Sequence, residues 1–157
     1  MKKYIAVVLA ACLALVCLCA CSGKKTYDIQ ELLSAVEASA GVTDPVDLTE
    51  EDLNYDMGLT MENIDSFAGK TENVNGASGR VLVVKAVSGK GEDVKTELQS
   101  YVTSRAEFLG NYEEFAGAKA QAEQARVVAS GDYVILVMAN EGMDYAAVDE
   151  AIEAAFA

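Results

Sequence analysis

Tyr133-Val134-Ile135-Leu136-Val137-Met138-Ala139, together with Arg80-Val81-Leu82-Val83-Val84-Lys85-Ala86-Val87, decides the fold. Both runs are short, rich in β-branched residues and bounded by glycine or polar breaks, which marks them as strands. Alternation splits each into two faces. Val81, Val83 and Val87 oppose Leu82, Val84 and Ala86; Tyr133, Ile135 and Val137 oppose Val134, Leu136 and Met138. Every face is apolar, so these are the central strands of a sheet. Either helices cover both sides, or one face stays partly open as a surface for a partner. Full internal coverage is the expectation.

Working outward, Ala125–Ser130 and Tyr133–Ala139 flank Gly131-Asp132, the signature of a β-hairpin. Upstream, Ile64 to Thr71 reads as a strand, and Asn75-Gly76 is a turn dipeptide between it and the strand at Arg80. Helices fill the remainder. Ile29, Leu32, Leu33 and Val36 fall at i, i+3, i+4 and i+7, and Gly41 with Pro45 ends that helix. Thr49 caps a short helix to about Tyr55, with Leu53 and Tyr55 as its buried residues and Gly58 as its end. Val94, Leu98, Tyr101, Val102, Phe108 and Leu109 form the longest apolar stripe, interrupted by Arg105, whose stem can snorkel. Glu113 to Gln124 reads as a loop with a helical turn, and Tyr145, Val148, Ile152 and Phe156 mark a closing helix. The expectation is one α+β domain over residues 27–157: a four-stranded, mostly antiparallel sheet with amphipathic helices packed on it.

The first 26 residues are of another kind. Met1-Lys2-Lys3 is basic, and Tyr4 to Ala20 is an almost unbroken apolar run, the layout of an export signal. The four cysteines, Cys12, Cys17, Cys19 and Cys21, all lie in or at the end of it, so the domain that follows holds no disulfide framework. Leu18-Cys19-Ala20-Cys21 resembles the bacterial lipobox. The resemblance implies residues 1–20 as a cleaved lipoprotein signal peptide and a diacylglyceryl group on the Cys21 thiol. Two acyl chains suffice to hold a protein on a membrane. Residues 21–26 then form a short polar tether carrying Lys24 and Lys25.

Composition narrows the chemistry. Twelve Lys and Arg face 25 Asp and Glu, for a formal charge of −13, and there is no His. That balance opposes nucleic-acid binding, which runs on phosphate neutralisation by Lys and Arg. Without His there is no Ser-His-Asp triad. Ser88-Gly89-Lys90-Gly91 lacks the spacing of a phosphate loop and reads as a turn. Asp52-x-Asn54-x-Asp56 starts like a calcium loop. Met57 stands where the turn glycine belongs, and Asn63 where the closing Glu belongs. Asp52, Asn54 and Asp56 therefore stand as a candidate cation site only in this incomplete form. Tyr55, Tyr101, Tyr112, Tyr133 and Tyr145 either line a ligand groove or sit in the core with their hydroxyls at the surface; their spacing favours the core.

Three stretches carry a family resemblance: Leu53-Asn54-Tyr55-Asp56-Met57-Gly58-Leu59, Arg80-Val81-Leu82-Val83-Val84-Lys85-Ala86, and Gly131-Asp132-Tyr133-Val134-Ile135-Leu136-Val137. With the lipobox and the order of elements, they resemble the small bacterial lipoproteins of domain-of-unknown-function family 4358, over about Tyr27 to Phe156. The resemblance implies location and fold and transfers no catalytic residue. The expected function is that of a non-enzymatic binding or accessory module. It would be held at the outer face of the cytoplasmic membrane through Cys21, with an envelope protein or small ligand as partner and no cofactor. The alternative is a cryptic envelope hydrolase using a carboxylate pair in a cleft.

Overall fold

The computed structural model describes residues 25–74 and 76–157. The leader, Cys21, the tether as far as Lys24, and Asn75 of the expected turn lie outside the described residues. The chain forms α1 (Ile29–Ala40), β1 (Pro45–Asp47), a π-helical turn (Asp52–Asp56), a 3-10 turn (Met61–Asn63), β2 (Ile64–Glu72) and β3 (Arg80–Ala86). There follow α2 (Gly91–Leu109), a 3-10 turn (Glu113–Phe115), α3 (Ala116–Glu123), β4 (Arg126–Ser130), β5 (Tyr133–Met138) and α4 (Tyr145–Ala155).

The class is α+β, and the sheet has five strands in the order β1-β2-β3-β5-β4, every neighbouring pair antiparallel. The expected count of four is therefore one short. The missing strand is β1, three exposed residues at the sheet edge, pairing Pro45 with Glu72 and Asp47 with Lys70. It is too brief to show alternation, and its opening proline reads as a helix stop. Proline is tolerated at the first residue of an edge strand, where no ladder hydrogen bond is lost.

β3 and β5 are central, with Arg80 opposite Met138 and Lys85 opposite Tyr133. Their two faces feed two separate cores. Leu82, Val84, Val134, Leu136 and Met138 pack under α2 and α3 with Leu53, Met57 and Leu59. Val81, Val83, Tyr133, Ile135 and Val137 pack under α1 and α4 with Leu32, Leu33, Val36 and Val148. Helices thus cover both sides of the central strands, as their two-sided apolar pattern requires.

Local chemistry sets the boundaries. Asp28 caps α1, accepting from the Gln30 and Glu31 amides, and Gly41 ends it at φ 63°. That left-handed turn is where glycine is least strained. Gly91 opens α2 so close to the Gly131 carbonyl that a Cβ would collide with it. α3 is a two-turn helix rather than the expected single turn. Gly117 lies in its first turn, where the missing Cβ leaves room for the Glu141 carboxylate.

The two ends of the sheet differ. At one, Tyr27 packs edge-on against Tyr133 and Phe156, and Lys25 donates to the Ala157 carbonyl at 2.7 Å. α2 starts at this end, beside Gly131. It runs to the opposite end, where Arg105 donates to the Ala77 carbonyl at 3.2 Å. Among the described residues no helix is long and apolar enough to cross a membrane.

Candidate binding groove

One flank of α2 carries Glu97, Ser100, Tyr101, Ser104, Arg105 and Phe108, at i, i+3, i+4, i+7, i+8 and i+11. This spacing lays six side chains along one helix face. Facing them is the segment Tyr55–Gly58 that leaves the π-helical turn. Two adjoining cavities lie between. One of 390 Å³ is lined by Tyr55, Met57, Gly58, Glu97 and Ser100. The other, of 270 Å³, is lined by Arg105 and Phe108, and the two share Asp56, Tyr101 and Ser104. From Glu97 to Phe108 the groove follows α2 for about 16 Å at the helical rise.

Its wall is built from the sheet outward. Arg80 opens β3, and its side chain is mostly buried beneath the groove. The guanidinium donates to Asp56 Oδ2 at 2.7 Å, to Thr71 Oγ1 at 3.2 Å and to the Tyr101 hydroxyl, and lies 5.4 Å from the Tyr101 ring centre. Burial pushes the Tyr101 phenol above its ordinary value, and the adjacent Arg80 charge pulls only partly against this. At one end Glu97 accepts from the Thr60 amide at 3.0 Å and from Asn63 Nδ2 at 3.5 Å, which ties the 3-10 turn to α2. At the other end Arg105 lies 5.6 Å from the Phe108 ring centre. Phe108 in turn begins a run of tilted rings with Tyr112 and Phe115, centres 5.6 and 5.5 Å apart.

Two side chains stand where the sequence does not place them. Tyr55, expected to be buried, is 82% exposed and forms a rim of the groove. The π-helical widening, with Met57 N bonded to Asp52 O at 2.9 Å, shifts the turn so that Met57 goes inward in its place, beside Leu53, which is buried as expected. Phe108, expected in the core, is 48% exposed; Leu109 takes the buried position and Phe108 falls to the flank. Of the other tyrosines, Tyr101, Tyr133 and Tyr145 are buried and Tyr112 is exposed. Tyr55 and Tyr101 thus line the groove, while Tyr101, Tyr133 and Tyr145 are core residues; the Tyr145 hydroxyl, expected at the surface, instead accepts from the Ala139 amide at 3.1 Å and donates to the Gln121 carbonyl at 2.7 Å.

Of the candidate cation residues, Asp52 closes a capping box. Its Oδ2 accepts from the Thr49 amide and hydroxyl, both at 2.7 Å, while its own amide reaches Thr49 Oγ1 at 3.3 Å. Those bonds hold the Asp52 carboxyl below the ordinary aspartate value of 3.8. Asp56 is engaged by Arg80, and Asn54 is exposed. Among the described residues no group of three or more acidic or cysteine side chains is placed to hold a metal ion.

A second polar cluster sits at the far end of the sheet. Glu72, only 9% exposed, accepts through Oε1 from the Thr43 amide at 3.1 Å, the Thr43 hydroxyl, and Asn140 Nδ2 at 2.9 Å. Its Oε2 is sealed from solvent without a hydrogen-bond partner. The cluster joins the loop after α1, the end of β2 and the loop after β5.

Comparison with known proteins places this architecture. Residues 38–139 match the family model described as Domain of unknown function (DUF4358), and the chain belongs to that family. The match spans β1 to the end of β5 and so contains the whole groove. No curated protein and no solved structure matches the chain.

Proposed function

We propose that the protein is a lipid-anchored extracytoplasmic binding module that engages its ligand in the groove between Tyr55–Gly58 and α2. The observation that carries the binding reading is the groove's composition. Exposed aromatic rims, Tyr55 and Phe108, flank a floor of hydroxyls and charged groups. Apolar walls with a few placed polar groups are what ligand sites use. The lipobox at Leu18–Cys21 supports the anchoring reading.

The alternative, a hydrolase with a carboxylate pair, draws on Asp56 and Glu97, the two acids of the groove. A glycosidic general acid needs a desolvated carboxyl kept protonated by its pocket. The Asp56 side chain is instead 46% exposed and ion-paired with Arg80. Glu97 accepts two hydrogen bonds from the 3-10 turn. Neither carboxyl is sealed unpaired in an apolar pocket, which supports binding over hydrolysis.

Two measurements test the proposal. Full-length protein expressed with a labelled fatty acid should carry label that Cys21→Ala abolishes, and an impermeant biotinylation reagent should reach its lysines on intact cells. Label retained in Cys21→Ala, or lysines that react only after lysis, overturns the anchoring. Incubated with purified wall polymer, the protein should leave the polymer's size unchanged. Release of new reducing ends, abolished by Asp56→Asn or Glu97→Gln, establishes the hydrolase instead.

A further inference from the structure

Acids outnumber bases about two to one in this chain, so a cation without a carboxylate is unexpected. Among the described residues the other two arginines, Arg80 and Arg126, pair with Asp56 and Asp149. Lys70, Lys85, Lys90, Lys95 and Lys119 each hold a carboxylate, and Lys25 holds the Ala157 carbonyl. Arg105 makes no such pair. Its contacts are one donation to the Ala77 carbonyl and the face of Phe108. A guanidinium has five N–H donors in a planar fork, so most of Arg105's capacity remains uncommitted within the groove.

The charge order along the groove is polar. The cavity at the Phe108 end holds Arg105 together with Asp56, and the Asp56 charge is neutralised by Arg80 beneath. The cavity at the Tyr55 end holds Glu97. Between them Ser100 and Ser104 sit about one turn apart on α2, and the Ser100 hydroxyl donates to the Thr96 carbonyl at 3.0 Å.

We propose that the groove takes an elongated organic acid, with its carboxylate on Arg105, a ring or apolar face on Phe108, and hydrogen-bond donors toward Glu97 and Tyr55. This deepens the binding reading given above and rests on it. Arginine suits the task because its fork matches a carboxylate bidentately, which a lysine point charge does not. A ligand spanning Glu97 to Arg105 covers about 12 Å of helix, the length of about three extended amino-acid units. The shared chemistry is a terminal carboxylate on a polar body, which either a sugar acid or a peptide C-terminus supplies.

The test uses the full chain in detergent micelles and two matched probe pairs. N-Acetylmuramic acid is set against N-acetylglucosamine, which lacks the lactyl carboxylate. N-Acetyl-Tyr-Ala as the free acid is set against its amide. Binding is read by calorimetry and by amide shifts in labelled protein. The expected result is that the acid of at least one pair binds and moves the Ser104, Arg105 and Phe108 amides, while its neutral twin binds at least tenfold more weakly. Arg105→Gln should lower acid binding tenfold or more, and Arg105→Lys should restore only part of it. The binding pair identifies the source, sugar acid or peptide terminus. Equal binding of acid and neutral probes, no binding of either acid, or unchanged acid binding in a folded Arg105→Gln variant overturns the proposal. These outcomes do not depend on where the protein resides, so labelling at Cys21 and surface exposure stand or fall separately.

Discussion

Glu72 is the most informative single position for stability, because its two carboxylate oxygens live in different surroundings. Oε1 collects the Thr43 amide, the Thr43 hydroxyl and the Asn140 side-chain amide, whereas Oε2 is buried with no partner. Replacing Glu72 by Ala removes the acceptor for all three donors at once. The hydroxyl can rotate, and Asn140 Nδ2 has a second, longer bond to the Gly41 carbonyl at 3.4 Å. That leaves between one and two donors stranded. A stranded buried donor costs about 1–3 kcal/mol, so Glu72→Ala is expected to lose about 2–4 kcal/mol. At about 3–5 °C per kcal/mol for a domain of this size, Tm falls by roughly 10 °C. Glu72→Gln keeps the shape. Its carbonyl oxygen meets the same three donors, while its amide nitrogen brings two N–H donors to the place where Oε2 has no partner. A stranded donor costs about 1–3 kcal/mol, so Glu72→Gln should lose about 1–2 kcal/mol, less than Ala. Urea unfolding followed by circular dichroism on the full chain, at neutral pH, gives both numbers. The reasoning is refuted if Gln destabilises as much as Ala, which would mean that keeping the Oε1 acceptor gains nothing, or if Ala is neutral, which would mean that the three segments need no common acceptor.

Three further outcomes follow from other parts of the fold. Leu82→Ala, in a fully buried side chain of β3, should cost about 2–5 kcal/mol in the same unfolding assay. Gly41→Ala forces a Cβ into a left-handed turn 2.5 Å from Met143 Sδ. It should lose more than about 1 kcal/mol, and adding Met143→Ala should recover the steric part while leaving the backbone part, a coupling that a double-mutant cycle reads. Asp52 has a folded pKa below its unfolded one because of the Thr49 hydrogen bonds. Its contribution is therefore complete above the unfolded value of 3.8 and lost as pH falls through the lower, folded value. Asp52→Asn should flatten the fall in stability below pH 4 without steepening it elsewhere, measured by urea midpoints across the acid range.

How much of this was legible beforehand follows from which signals are local. The two central strands were readable to the facing of their inner residues, since Val81 and Val83 do oppose Leu82 and Val84 across the sheet; Val87, expected on the Val81 face, lies past the end of β3 and is exposed. Alternation is a property of the backbone and survives any tertiary context. The Gly41 stop and the Thr49 cap were equally legible, because a single residue's chemistry makes each. β1 was not: three exposed residues have no pattern, and only the finished edge of β2 makes a strand of them. Tyr55 and Phe108 were misplaced for a related reason. Both are apolar enough for the core, and one extra residue in a π-helical turn, or one position of drift along α2, moves a side chain from the inside to the rim. The groove itself had a signal that hid beside a stronger one. Glu97, Ser100, Tyr101, Ser104, Arg105 and Phe108 keep helical spacing, but the apolar stripe of the same helix dominates, and Arg105 reads there as an interruption. Arg80 gave no signal, since what gathers Asp56 and Tyr101 around it is contact between elements far apart in sequence.

The layout of the two sheet ends bears on how such a groove would work from a membrane. Lys25, the first described residue, is fastened to the chain's last residue at the end where α2 begins. Cys21 lies only four residues before it, and four residues reach at most about 14 Å. A lipid on Cys21 would therefore hold that end of the domain close to the headgroups. The nineteen residues of α2 then carry Arg105 and Phe108 toward the opposite end, and the whole helix is about 28 Å long. Arg105 would thus stand well beyond the Debye length of about 8 Å from an anionic surface. A carboxylate ligand approaching from outside would meet the Arg105 charge before the membrane's repulsion. An acid arriving from the membrane side would first meet Glu97 and the repelling surface. With Cys21 lipidated as proposed, the order of charges along α2 and the position of the tether would select the same direction of approach, from the side away from the membrane. Reversing the groove with the pair Glu97→Arg and Arg105→Glu would leave the net charge unchanged yet set the two selections against each other.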